Sequence, residues 1–151
     1  MSYAAKLKEL GYELKTIELN GGRLMHATRT GNLIYTSGQV SRWGDTHIKG
    51  KVGRDVSVEE GYEAAKLCTL NCLQAVHSLA GSLDNVVQVV KVFGMVNVAP
   101  DFINTPAVIH GCSDLLIGVF GEAGRHARSA IGLTVPDDWA CEIEIIFEVK
   151  G

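Results

Sequence analysis

Three observations predict an α+β fold, a two-layer sandwich with helices on one face of a sheet. Two stretches carry apolar residues at alternating spacings of three and four, Ala65, Cys68, Cys72, Ala75 or Val76 and Leu79, then Ile109, Cys112, Leu116 and Val119 or Phe120, which is the stripe of an amphipathic helix. Alternating or valine-rich segments flank and separate them, as strands require. The resulting order, β-β-α-β-α-β-β, has helices long enough to cover one sheet face. With 151 residues and 46% hydrophobic content there is room for one domain with a real core, spanning 1–151, and none for a second.

Ser2 to Leu10 has Ala4, Leu7 and Leu10 at helical spacing and Gly11 as a stop, so it reads as a short amphipathic helix. Gly21-Gly22 gives a turn. Arg23 to Thr30 then alternates as a strand, with Met25 and Ala27 on one side and His26 and Thr28 on the other. Gly31-Asn32 separates it from Leu33 to Val40, a hairpin signal weaker than Asn-Gly. Ser41 to Asp55 is polar and glycine-bearing, a loop with room for a short irregular strand.

Ser57-Val58-Glu59-Glu60 is a capping box opening the first long helix, and Gly81 is its stop. Val86 to Val98 is apolar on both alternating faces except at Lys91, which predicts a strand buried on both sides. Asn104-Thr105-Pro106 opens the second helix, with Thr105 as cap and Pro106 in the first turn, and Gly121 closes it. Strands follow at Ala127 to Leu133 and, past Pro136-Asp137-Asp138, at Cys141 to Val149. The last alternates strictly, with Cys141, Ile143, Ile145, Phe147 and Val149 facing one way and Glu142, Glu144 and Glu148 the other.

A second sheet face that carries Arg128, Glu142 and Glu144 beside several valines is too apolar for water and too charged for a core, so contact between subunits is a natural use for it. Net charge is −3 with a pI near 5.9, and no basic or aromatic stripe appears, which argues against nucleic acid as partner. Lys and Glu interrupt the N-terminus where a secretory signal needs an apolar run. No segment offers the roughly 20 apolar residues of a membrane span, so a soluble, cytoplasmic protein is expected. Cys68, Cys72, Cys112 and Cys141 lack Cys-x-x-Cys spacing and read as buried free thiols. His26, His47, His77, His110 and His126 are scattered, so the sequence supports no metal site and implies no cofactor. His110 and Cys112, two apart on a helix, do not face each other as a dyad. His126 reads either as a titratable neighbour of Arg128 or as a turn residue.

The functional lead is Arg128, which precedes the acidic strand by fourteen residues at Glu142. A guanidinium held in a cleft presents a planar fork of donors suited to a carboxylate. The same arginine also reads as an unpartnered surface residue, and Glu142, Glu144 and Glu148 as solvated or interface glutamates.

Arg128-Ser129 followed by Glu142-Ile143-Glu144 resembles the C-terminal signature of the RidA/YjgF family, and Gly31 to Val40, with Ser37-Gly38-Gln39, resembles its N-terminal hairpin and Ser-Gly-Gln element. Val90-Lys91-Val92-Phe93 occupies the place of its central strand. The resemblance runs from roughly Leu24 to Val149 and leaves residues 1–22 as an N-terminal extension. It implies a chorismate-mutase-like fold, a homotrimer around a central barrel, and ligand clefts between neighbouring subunits. It further implies hydrolysis of enamine or imine intermediates to a 2-keto acid and ammonia, with Arg128 holding the carboxylate of a small anionic metabolite and Glu142 placing or activating water. Ser37, Gly38 and Ala130 would line the cleft. Ala130 stands where the deaminases often have cysteine, Leu24 where they have tyrosine, and Pro106 near an asparagine, and the arginine-to-glutamate spacing is one residue shorter. These departures imply a different substrate, or a regulatory trimer that binds a small carboxylate without turnover. A third reading, endoribonuclease or translation inhibitor, is a label some members carry.

Overall fold

The sheet is built around the last strand of the chain, and the strict alternation of that strand decides which face the helices take. The computed structural model describes all residues, Met1–Gly151. A short helix α1 (Tyr3–Glu9) leads into strands β1 (Ala27–Thr30), β2 (Leu33–Thr36), β3 (Gln39–Val40), β4 (Arg42–Trp43) and β5 (Thr46–His47). Helix α2 (Val58–Ala80), strand β6 (Val86–Asn97), helix α3 (Thr105–Phe120), strand β7 (Ala127–Leu133) and strand β8 (Cys141–Val149) follow. The main sheet runs β1-β2-β8-β6-β7, with β3 also pairing β8, and β4 and β5 form a separate ribbon. Only β6 and β7 are parallel; they are joined through α3, the crossover a parallel pair demands.

Cys141, Ile143, Ile145, Phe147 and Val149 are all within 1% of full burial and face α2. Ala64, Ala65, Cys68, Cys72, Ala75 and Val76 of α2 meet them, and Val108, Ile109, Cys112, Leu116 and Val119 of α3 complete the core. All four cysteines are free and fully buried. Burial pushes the Cys112 thiol up to about 12 and the Cys68 and Cys72 thiols well above their usual range. None of these three is a thiolate nucleophile at neutral pH. No helix is long and apolar enough to cross a membrane.

The capping box forms as the sequence requires. Glu60 N–H donates to Ser57 Oγ at 3.0 Å, and Ser57 N–H donates to Glu60 Oε1 at 3.1 Å. Gly81 closes α2 in the left-handed region at φ 87°. Ser57→Ala should therefore cost about 1 kcal/mol in chemical denaturation, the usual worth of such a cap, with no change in the bound-ligand properties of the distant sheet. At the β1–β2 hairpin Gly31, φ 56°, is the first of two loop residues between Thr30 and Leu33. That is the position where a II′ turn wants glycine.

Three expectations change. The predicted strand from Arg23 shortens to Ala27, because the Gly21-Gly22 turn reaches as far as Met25: Gly21 N–H donates to the Leu24 carbonyl, and Asn20 bridges Met25. The helix cap is Asn104, which makes no side-chain capping bond, and Thr105 is already helical. Its hydroxyl donates instead to the Ala130 carbonyl at 2.9 Å and ties the start of α3 to β7. The third concerns β6, which is buried on one face only. Val86, Val89, Val92 and Val96 are covered by the helices, whereas Val87 and Val90 are 45% and 36% exposed. Two register shifts against β8 surround these residues, and each bulge breaks the alternation that the valine run conceals.

The N-terminal segment is built into the fold. Leu7 of α1 is 1% exposed within the core, with Tyr3, Tyr12, Leu14 and Leu19 packed against it. The backbone of residues 15 and 17 donates to Gln74 and Ser78 of α2.

Candidate functional site

The parallel register of β6 and β7 sets Arg128 opposite Val92 and Ala130 opposite Gly94, and both partners are buried beneath α3. Arg128 therefore leaves β7 on the helix face, which corrects the expectation that it shares the second sheet face with Glu142 and Glu144: the parallel register aligns it with a residue that points at α3. Its Nη1 donates to His110 Nδ1 at 3.0 Å and to Ser113 Oγ at 3.1 Å, both on α3. Ser113 in turn lies 2.9 Å from His126 Nε2, and His126 Nδ1 lies 2.6 Å from the Gly124 carbonyl. The ion pairs of the chain are Arg54–Asp55, Glu63–Lys66 and Glu122–Arg125. Arg128, half-buried, is in none of them. A partly desolvated guanidinium whose only partners are neutral is an unsatisfied positive charge, and such a site favours an anion.

Glu142 lies on the other face. Paired with Met95 of β6 and Val40 of β3, it projects over Gly38, where a Cβ would stand 2.9 Å from Glu142 Cδ and nearer still to Oε2. The missing side chain at position 38 is what makes room for the carboxylate. Burial, reinforced by the negative charge of Glu144, raises the Glu142 pKa from its ordinary value. Ser37 sits beside this pair, its hydroxyl already donating to the Met25 carbonyl. The sequence-derived residues thus form two clusters, Ser37, Gly38 and Glu142 on the open face and Arg128 with Ala130 on the helix face. One chain does not bring them together.

Sequence reasoning passed over Ser113. The signal was present: His110 and Ser113 are three apart on a helix and so share a face, and that face meets β7. His126 joins the same network through Ser113. Leu24 is 52% exposed in the turn before β1, and Pro106 is exposed in the first turn of α3. No group of three or more His, Cys, Asp or Glu side chains converges as metal ligands would.

Residues 4–147 match the family model described as "YjgF/chorismate_mutase-like, putative endoribonuclease". The chain belongs to the YjgF/RidA family. Among its relatives is Protein TCP17 of Trypanosoma cruzi, 34% identical over 98% of this chain and 94% of that protein. The crystal structure of Atu1372 from Agrobacterium tumefaciens, a protein of unknown function, shares 38% identity and superposes with a TM-score of 0.90 over 98% of this chain and 92% of its own. Escherichia coli TdcF, crystallised with bound serine, is 21% identical and has a TM-score of 0.59 over 86% of this chain and 90% of its own. The YjgF/RidA assignment fixes the chorismate-mutase-like fold, a mixed sheet covered by two long helices. Within the family the chain stands nearer to Atu1372 than to TdcF.

Proposed function

We propose that this protein binds a small carboxylate at Arg128 and hydrolyses reactive enamine or imine forms of such molecules. The observation that carries the reading is the half-buried, unpaired guanidinium of Arg128, held by neutral partners only. Serine, the molecule bound to TdcF, is a small amino acid that carries a carboxylate. An imine needs little from its host: fixation of the carboxylate, a proton, and a water placed against the C=N carbon. The amine nitrogen then leaves as ammonia and a 2-keto acid remains. Glu142, with its raised pKa, is the group we assign to water and proton.

The two clusters meet between subunits in this reading. The open sheet face is uncovered in one chain, with Tyr35 at 41% and Ile131 at 42% exposure beside half-buried Phe93, Met95 and Ile146. A homotrimer that buries this face sets the Arg128 cluster of one subunit against the Gly38–Glu142 cluster of the next. Arg128 alone, without turnover, would make a carboxylate-binding regulator. The observation that favours this second reading is Ala130, an inert methyl beside Arg128 where deaminases of the family often carry a thiol. RNA is a poor substrate for a chain of net charge −3 whose candidate site offers a single arginine, since phosphate neutralisation dominates such binding.

The test is subunit mixing. Arg128→Ala and Glu142→Gln trimers should each be inactive toward an imine generated in situ. Exchanged at equal amounts through mild denaturation, they should regain about a quarter of wild-type turnover, because a quarter of the clefts in a random trimer pair two intact halves. Light scattering must show three times the 16.2 kDa of one chain throughout. A monomer, or a mixture as dead as its parents, would remove the shared cleft. Binding of 2-keto acids with no turnover in wild type would select the regulator.

A further inference from the structure

Arg128 has five N–H donors, and the two it uses both belong to Nη1. One reaches His110 Nδ1 at 3.0 Å and the other Ser113 Oγ at 3.1 Å. Nη1 has no further hydrogen, whereas Nε–H and both Nη2 hydrogens have no partner in the chain. The direction of the remaining bonds follows from which atoms can donate. A guanidinium only donates, so His110 Nδ1 and Ser113 Oγ accept. A carbonyl only accepts, so the proton between His126 Nδ1 and Gly124 O sits on the imidazole. Nε2 of a neutral His126 is then free to accept the single hydrogen of Ser113, at 2.9 Å. With both histidines neutral, all four contacts are satisfied at once. Burial holds His126 below the usual imidazole range and the Arg128 charge acts in the same sense, against the opposing pull of the Gly124 carbonyl.

We propose that His110 and Ser113, with His126 behind Ser113, are positioning residues that lock the plane of the Arg128 guanidinium and present its Nε/Nη2 edge to a ligand carboxylate. The proposal rests on the reading of Arg128 as the carboxylate holder. It adds which edge is used and what holds it there. An end-on grip through Nη1 and Nη2 is closed, because both Nη1 hydrogens are already engaged. The side-on grip through Nε and Nη2 stays open and supplies two parallel N–H···O bonds to one planar carboxylate. Without the clamp the guanidinium turns about its side-chain torsions, and the ordering needed for a bidentate contact falls on the moment of binding.

Wild type, Ser113→Ala, Ser113→Thr, His110→Ala and Arg128→Lys, all full-length, are titrated with pyruvate by calorimetry. The expected result is a loss of about ten-fold in pyruvate affinity for each alanine variant, as for other small losses of orientation. Ser113→Thr, which keeps the hydroxyl, should stay close to wild type. The spectroscopic readout is the side-chain 15N spectrum of Arg128, assigned by the signals that vanish in Arg128→Lys. Two distinct Nη resonances are expected in wild type and Ser113→Thr, and a merged, rotating pair in Ser113→Ala. If Arg128→Lys loses pyruvate while both alanine variants bind it like wild type, the clamp is wrong and the carboxylate reading stands. A threonine variant as weak as alanine would also overturn the clamp. If Arg128→Lys binds pyruvate unchanged, the carboxylate reading itself falls and takes the clamp with it.

Discussion

Arg128→Lys is expected to bind small 2-keto acids almost as poorly as Arg128→Ala. An ammonium keeps the charge but is a point donor on a flexible stem, and it cannot form the two parallel bonds that a guanidinium edge makes with a carboxylate. Both variants should lose on the order of 2–4 kcal/mol, the range for breaking one side of a hydrogen-bonded charge pair, or about 30-fold to 1,000-fold in affinity. Turnover of an imine generated in situ should fall at least as far. Stability should change little, because Arg128 has no ionic partner and its side chain hydrogen-bonds only to His110 and Ser113. Calorimetry and denaturation on the same preparations separate the two quantities. Equal affinity in wild type and both variants would reduce Arg128 to a surface residue.

The largest effect on folding is expected at Gly111. This residue lies where α3 crosses α2, and a Cβ added there would overlap the Tyr62 carbonyl oxygen and stand 2.9 Å from the Tyr62 carbonyl carbon, with the Ala65 methyl at 3.3 Å. The obstruction is backbone of a well-packed helix, so relief requires the two helices to separate. Gly111→Ala should cost about 3 kcal/mol, at the high end for overpacking, even though alanine is the better helix former. The comparison is Gly118→Ala on the same helix, where the added methyl meets only Leu10 Cδ1 at 3.7 Å. That change should be neutral or mildly stabilising. Equal urea midpoints for the two variants would show that the helices have slack at their crossing.

Much of this architecture could be read from the chain because local pattern and tertiary role coincide. The Ser57–Glu60 box, the Gly81 and Gly121 stops and the alternation from Cys141 to Val149 state their structure in a few adjacent residues. The valine run of β6 did not, since bulges shift its facing without leaving a trace in composition. Thr105 looked like a cap because threonine is one elsewhere, but β7 offered its hydroxyl a carbonyl, and only the folded chain reveals that competitor. The site was half legible. Arg128, Gly38 and Glu142 follow from motif, but their division between opposite sheet faces depends on a parallel register that no linear spacing encodes. Ser113 and His126 become visible only when α3 and β7 are laid side by side.

The fit of Gly38 beneath Glu142 constrains the order in which this sequence can change. The nearest atoms to a Cβ at position 38 all belong to the flexible Glu142 side chain, so the fold would tolerate it and the carboxylate would swing aside. Loss of the glutamate, in contrast, leaves space that any small residue can enter at little cost. A lineage that first abandons Glu142 is thereafter free to drift at position 38, and each such step blocks the return path, because restoring the carboxylate would then require the glycine as well. Chains of this fold that have lost the acid should therefore carry the record of it in two places, a replaced glutamate and a filled glycine.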